Sequence, residues 1–383
     1  MELHFRQLAD MSEQECKAGN RTVCQTPAVM RQAAYERRQS DVLHRDPVVE
    51  LDIAKECWQT AMPAEHVSGY IQQLGSEPFH VVFYCQQQVQ LYVDSCKAGN
   101  ATLHVDATGC VVRNIRGQKR ALYYCVVLGD CSIPVFDAVT TRHTSEWLQS
   151  LLMMFNASVR RVNHGRLVTP RFVVTDFSFA LITACLGAFN GGMQLDRYLR
   201  LTYQLMQKTV TGGDADSVTV LCLCAAHMLK MLSMRLRRKE SRKEVRKLTL
   251  TYFGSLQRTT TLTAAGDIYR HICVVLTSRL ETRQVSDARL HLTAAVSGVT
   301  VDADDSDDDV VDDVQEADDA VHTADFRSLR ENSPFCGYFR QRVADVCDTH
   351  EDTALSSECR IRNPTYSPNC FDVVADVMPF FPL

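Results

Sequence analysis

Thr102–Gly109 reads Thr-Leu-His-Val-Asp-Ala-Thr-Gly, with apolar Leu103 and Val105 alternating with His104 and Asp106. That alternation predicts a half-buried strand ending in a carboxylate and a small-residue turn. Arg171–Ser178, Arg-Phe-Val-Val-Thr-Asp-Phe-Ser, predicts a continuous apolar strand that again ends in an acid, Asp176. Open α/β sheets place their sites at the carboxyl ends of strands. Two carboxylates delivered there side by side suit a hard divalent cation such as Mg²⁺, and two-metal phosphoryl transfer uses that arrangement. Each Asp alone has a plainer reading, as a turn former or helix N-cap. The pair is more specific, because both acids occupy matching strand-to-turn contexts.

The elements that would carry them follow a βββαβα order. His80–Cys85 is a short strand-like run and Gln86–Lys97 a helix. Strands are expected at 101–106, 121–129 and 132–140, then a helix at 145–161, a strand at 170–176 and a helix at 178–189. Helix Leu195–Lys208 and a fifth strand at Ser217–Cys222 come next. The expected fold is α/β with a mixed five-stranded sheet. Directly after the fifth strand, Cys224-Ala-Ala-His227 opens a helix. A C-x₂-H pair is half of a zinc site, which His271 and Cys273 on a later helix would complete. A buried thiol and a packed imidazole explain the pair equally well.

Composition bounds the rest. With 383 residues, 45% hydrophobic and 23% charged, the chain is mostly globular, in two or three folding units. The net charge of −5 hides an asymmetry. Asp302–Asp319 holds eleven acids and no base, and removing those eleven charges leaves +6 on the remainder. That run cannot bury enough apolar surface to fold, so segment 301–322 is expected to be a disordered acidic linker. The sixteen Cys are scattered without a CxxC pair. The N-terminus has no apolar signal segment, and the apolar run near Phe177–Phe189 is too short to span a bilayer. These features predict reduced thiols, a nuclear or cytoplasmic location, and no membrane partner.

Lys230–Lys247 is the basic element. Lys230, Arg235, Arg237, Arg238, Lys239, Arg242, Lys243, Arg246 and Lys247 are opposed only by Glu240 and Glu244, a net charge of +7 in one helical stretch. A solvated helix face is the plain reading, and contact with phosphates or nuclear import is the functional one. Arg113, Arg116, Lys119 and Arg120 form a second basic cluster, read as a hairpin tip or a further phosphate contact. Residues 1–69 are expected to form a helical N-terminal region, with helices at Pro27–Arg45 and Val48–Thr60. Helices near Leu248–Leu256 and Thr263–Arg279 belong to an α-helical segment over 224–300. A helix over Phe335–Cys347 lies in a region spanning 323–348, and the tail 349–383 is expected to be irregular.

Asp106-Ala-Thr-Gly, Thr175-Asp176-Phe-Ser and Cys224-Ala-Ala-His227 after a fifth strand resemble the catalytic domain of DDE transposases, closest to the Mutator-like (MULE) group and its transposase-derived relatives. The resemblance covers about residues 70–345. It implies an RNase H-like core over 70–223, interrupted by an α-helical insertion at 224–300. It also implies that the first and fourth core strands are neighbours, so that Asp106 and Asp176 meet. The family adds a third acid, normally Glu, from within the last helix, and Glu331 is the best candidate here. The family's Asn-Asn-x-x-Glu style of motif is not reproduced. Asn332-Ser333-Pro334 puts Glu331 just before that helix, since Pro favours the first turn.

Three functions follow as expectations. In an active Mg²⁺-dependent transposase or nuclease, Asp106, Asp176 and Glu331 hold two metals that activate a nucleophile and stabilise the leaving oxygen. In a transposase-derived protein weak or dead as a catalyst, the basic stretch binds DNA. In a protein-interaction module on the same scaffold, nucleic acid has no role. The displaced third acid favours the second. No small-molecule substrate is expected, and the oligomeric state is left open.

Overall fold

The computed structural model describes residues 27–40, 42–99, 101–109, 111–112, 119–129, 131–209 and 218–296, together with 333, 334, 338, 339, 341 and 363–365. Arg113, Arg116, the acidic run 302–319, Glu331 and most of the expected helix at 335–347 lie outside the described residues. In chain order the helices are α1 Pro27–Ser40, α2 Pro47–Ala61, α3 Gln86–Lys97, α4 Ser145–Val162 and α5 Phe179–Phe189. They continue with α6 Leu195–Met206, α7 Ala225–Lys239, α8 Lys243–Gln257, α9 Leu262–Thr277 and α10 Arg283–Val296. The strands are β1 Ile71–Ser76, β2 Phe79–Phe83, β3 Thr102–Thr108, β4 Leu122–Leu128, β5 Ile133–Thr140, β6 Phe172–Thr175 and β7 Val220–Leu223.

The sheet is mixed and has seven strands rather than five, in the order β1-β2-β5-β4-β3-β6-β7. The two additional strands form a hairpin on the β5 edge, where His80 of β2 pairs with Thr140. β1 escapes sequence reading because Ile-Gln-Gln-Leu-Gly-Ser is polar and largely half-buried, without the alternation that marks a strand. The eight strands and helices from β3 through β7 fall where the periodicity put them, within two residues at most ends and up to three at the start of β7. β3, β4 and β5 form an antiparallel meander, while β3, β6 and β7 run parallel.

One sheet face is buried under α4 and α5. In α4, Leu148, Leu151, Leu152, Phe155, Val159 and Val162 recur at helical spacing and are all buried. Thr144 caps its start by accepting from the Trp147 N–H at 3.4 Å. Phe155 meets Tyr84, Tyr92 and Phe136 edge-on, with ring centroids 5.2 to 5.7 Å apart. The Tyr84 hydroxyl, buried in this cluster, is satisfied by Ser158 Oγ at 2.9 Å. On the opposite face a smaller cluster of Ile71, Phe79, Val81, Ala121 and Val139 packs against Val48, Leu51 and Ala54 of α2.

Helices α7 to α10 form a block whose apolar residues join the main core. The basic stretch 230–247 is not one helix. It divides at Glu240–Arg242 into the last turns of α7 and the start of α8. Glu240 breaks it by adopting an extended conformation, φ −127 and ψ 120. Its buried carboxylate accepts from the Arg242 N–H at 2.9 Å, from Nε at 2.9 Å and from Nη2 at 2.7 Å. Arg246 Nη1 donates to the Glu240 carbonyl at 2.9 Å. Two of the nine expected phosphate-binding cations therefore hold the corner itself.

Tyr338 and Phe339 dock on α9. Phe339 is buried edge-on against Tyr269 at 5.1 Å, and the Tyr338 hydroxyl donates to the Leu262 carbonyl at 3.2 Å. Gly266 makes this approach possible, since a Cβ there would lie 2.9 Å from the Tyr338 oxygen. No helix of the described residues is long and apolar enough to cross a membrane.

Candidate divalent-cation centre and basic face

Parallel pairing sets the site. Val105 of β3 is in register with Thr175 of β6, so the next residue of each strand delivers Asp106 and Asp176 as neighbours at the carboxyl ends. Thr175 of β6 is in turn opposite Leu223 of β7, and the Cys224 N–H donates to the Thr175 carbonyl at 2.7 Å. That brings Cys224 alongside Asp176 and puts His227 in the first turn of α7 next to them.

The two carboxylates sit in different surroundings. Asp106 is exposed, and its Oδ1 accepts from the Ala107 N–H at 2.8 Å. Asp176 is half-buried, and its Oδ1 accepts from the Ser178 N–H at 3.1 Å in the turn that leads into α5. Burial pushes its pKa up to about 6. The Ser178 hydrogen bond opposes that rise, the Asp106 charge adds to it, and His227 lowers it. The turn-forming role and the charged role thus coexist in Asp176. His227 Nδ1 is buried and has no hydrogen-bond partner.

The in-register row continues to the other side, where Asp106 faces Cys125 of β4 and Cys125 faces Asp137 of β5. Burial pushes the Cys125 thiol up to about 12, with Asp137 and Asp106 adding to it, so this sulfur stays protonated and unreactive at neutral pH. Asp137 itself is 4% exposed and accepts from the Tyr123 hydroxyl at 2.6 Å and from Tyr70 at 3.5 Å. Sequence reading passed over Asp137. Its signal was an acid in the middle of an otherwise apolar strand, Ile-Pro-Val-Phe-Asp-Ala-Val-Thr.

Asp106 and Asp176 stand as adjacent carboxylates, one exposed and one half-buried. Adjacent carboxylates, one of them reluctant to ionise beside the other, gain when a divalent charge is placed between them. Among the described residues, no group of three or more His, Cys, Asp or Glu side chains is disposed to hold a metal ion. The four-ligand zinc set of Cys224, His227, His271 and Cys273 is therefore not assembled. His271 instead stacks on His291 of α10, with centroids 4.7 Å apart and planes 7° from parallel, and Cys273 is a buried residue of the core.

On the basic corner, Lys230, Arg237, Arg238, Lys239, Arg242, Lys243 and Lys247 are exposed, while Arg235 and Arg246 are half-buried. Met228, Leu232 and Leu236 bury the opposite face of α7. Cations in the last turn of α7 also complement the helix dipole, which explains part of the density of Arg237, Arg238 and Lys239. Compared with protein-family models, with curated proteins and with solved structures, the chain gives no match.

Proposed function

We propose that this chain is a transposase-derived, RNase H-like nucleic-acid-binding protein, with the Asp106–Asp176 pair as the remnant of a divalent-cation centre. The observation that carries the reading is the meeting of the two acids on neighbouring parallel strands. The order β5-β4-β3-β6-β7, with its meander and two parallel additions, supports the core that the sequence resemblance implies. In this reading the β1–β2 hairpin is an addition at the far edge. DNA is the partner, and its phosphates meet the exposed cations of α7 and α8.

Two carboxylates supply few of the six oxygens that Mg²⁺ requires. Asp106 and Asp176 therefore hold one cation weakly, with water completing its shell. Such an ion supplies charge neutralisation, and two-metal phosphoryl transfer needs a further carboxylate. The experiment is a DNA cleavage assay with Mg²⁺ and Mn²⁺ on the full chain and on Asp106→Asn. No cleavage is expected from either. Metal-dependent cleavage that vanishes in Asp106→Asn would establish the alternative, an active DDE nuclease.

The structure separates the two kinds of arginine at the corner. Arg242→Ala leaves the buried Glu240 carboxylate without its fork of donors and is expected to cost about 1–2 kcal/mol of stability. DNA affinity should stay within about twofold, because Arg242 acts on the fold. Thermal melts and DNA titrations of the variant check both halves.

A further inference from the structure

We infer that residues 363–365 are a clasp that closes the helical block by tying the C-terminal end of α9 and the face of α10 to the basic corner. Asn363 lies far along the chain from the helices it meets, yet it is 1% exposed. Its Nδ2 donates to the Val275 carbonyl at 2.9 Å and to the Ser278 carbonyl at 2.7 Å, and its backbone N–H donates to the Arg279 carbonyl at 2.9 Å. The last carbonyls of a helix have no partner within the helix. One side chain thus supplies donors to the end of α9 and the turn beyond it.

The acceptor side of the same amide is used as fully. Asn363 Oδ1 accepts from Arg289 Nη2 of α10, from the Thr365 N–H at 3.0 Å and from the Thr365 hydroxyl at 2.7 Å. Arg289 is itself held by Glu281, Nη1 to Oε2 at 3.0 Å, in the connection between α9 and α10. Pro364 carries the tie across the block, since its carbonyl accepts from Arg242 Nη1 at 3.0 Å. Arg242 is also the partner of buried Glu240 at the α7–α8 corner. Three consecutive residues therefore join the end of α9, the face of α10 and the corner between the two basic helices. A fully satisfied buried amide of this kind fixes one arrangement and is costly to leave half-made.

A clasp differs from an ordinary core contact in what its loss does. It should loosen the elements it ties and leave the sheet as it was. The test is native-state hydrogen exchange on the full chain and on Asn363→Ala, with Thr365→Val as a milder second variant. Asn363→Ala is expected to lower Tm by roughly 5 °C. Amide protection should fall about tenfold at the end of α9, in α10 and at residues 239–243, with protection in β3 to β5 and α4 unchanged. Thr365→Val should show the same pattern at smaller size. Protection lost evenly across sheet and helices, or unchanged in both variants, would overturn the clasp.

Discussion

Replacing Asp176 with asparagine is expected to stabilise the protein at neutral pH, by about 2–3 kcal/mol. The wild-type carboxyl titrates near 6 because burial and Asp106 oppose its charge. Between the ordinary carboxylate value and about 6, the folded state binds more protons than the unfolded state. Stability must then fall as pH rises through that window, and the loss is complete above it. Asparagine keeps an oxygen for the Ser178 N–H and carries no charge, so this position contributes no pH dependence across the same range. The difference between the two melting curves against pH isolates Asp176 from every other titrating group. Mn²⁺ supplies the second half of the result. At ten times its Kd, a cation bound only by the folded state adds about 1.4 kcal/mol. That gain should appear in the wild type at pH 7.5 and be absent in Asp176→Asn. A variant less stable than the wild type at pH 7.5, with no Mn²⁺ effect on either protein, would remove the cation centre.

The second large effect is on binding. Arg237, Arg238 and Lys247 are exposed on the two basic helices. Changing all three to alanine is expected to weaken DNA binding roughly 10²- to 10³-fold near 0.1 M salt, and to reduce the slope of log K against log salt by about 3. Each lost phosphate contact removes the release of about one counterion, so affinity and slope fall together. The melting temperature should hardly move, since these side chains bury little. Arg242→Ala is the matched opposite, lowering stability with affinity kept. An affinity loss equal in the two variants would mean that the corner acts through its fold.

The sequence made the centre of the sheet legible because its strands are short, apolar and alternating, and each ends on a recognisable turn. Leu103 and Val105 define β3, and Leu122 to Leu128 alternate between buried and half-buried throughout β4. The meeting of Asp106 and Asp176 was implied by the family resemblance, which makes the first and fourth core strands neighbours, and not by the strand pattern itself. What escaped were features set by tertiary partners. β1 is a strand because β2 pairs with it, although its own residues are polar. Asp137 is invisible as a buried acid until Tyr123 of β4 and Tyr70, just before β1, are brought to it. The run 230–247 reads as one basic helix until Glu240 turns inward and takes Arg242 with it. Asn363 lies in a stretch that carries no periodic signal in the sequence, and only folding brings the end of α9 to it.

In the proposed function the basic corner meets the phosphates of DNA. Fluorescence anisotropy of a labelled duplex DNA, titrated with the full chain from about 50 to 200 mM salt, tests it most directly. Saturable binding is expected, with log K falling linearly against log salt at a slope of about −5. No binding at the lowest salt, or an affinity indifferent to salt, would contradict it and leave the scaffold to protein partners.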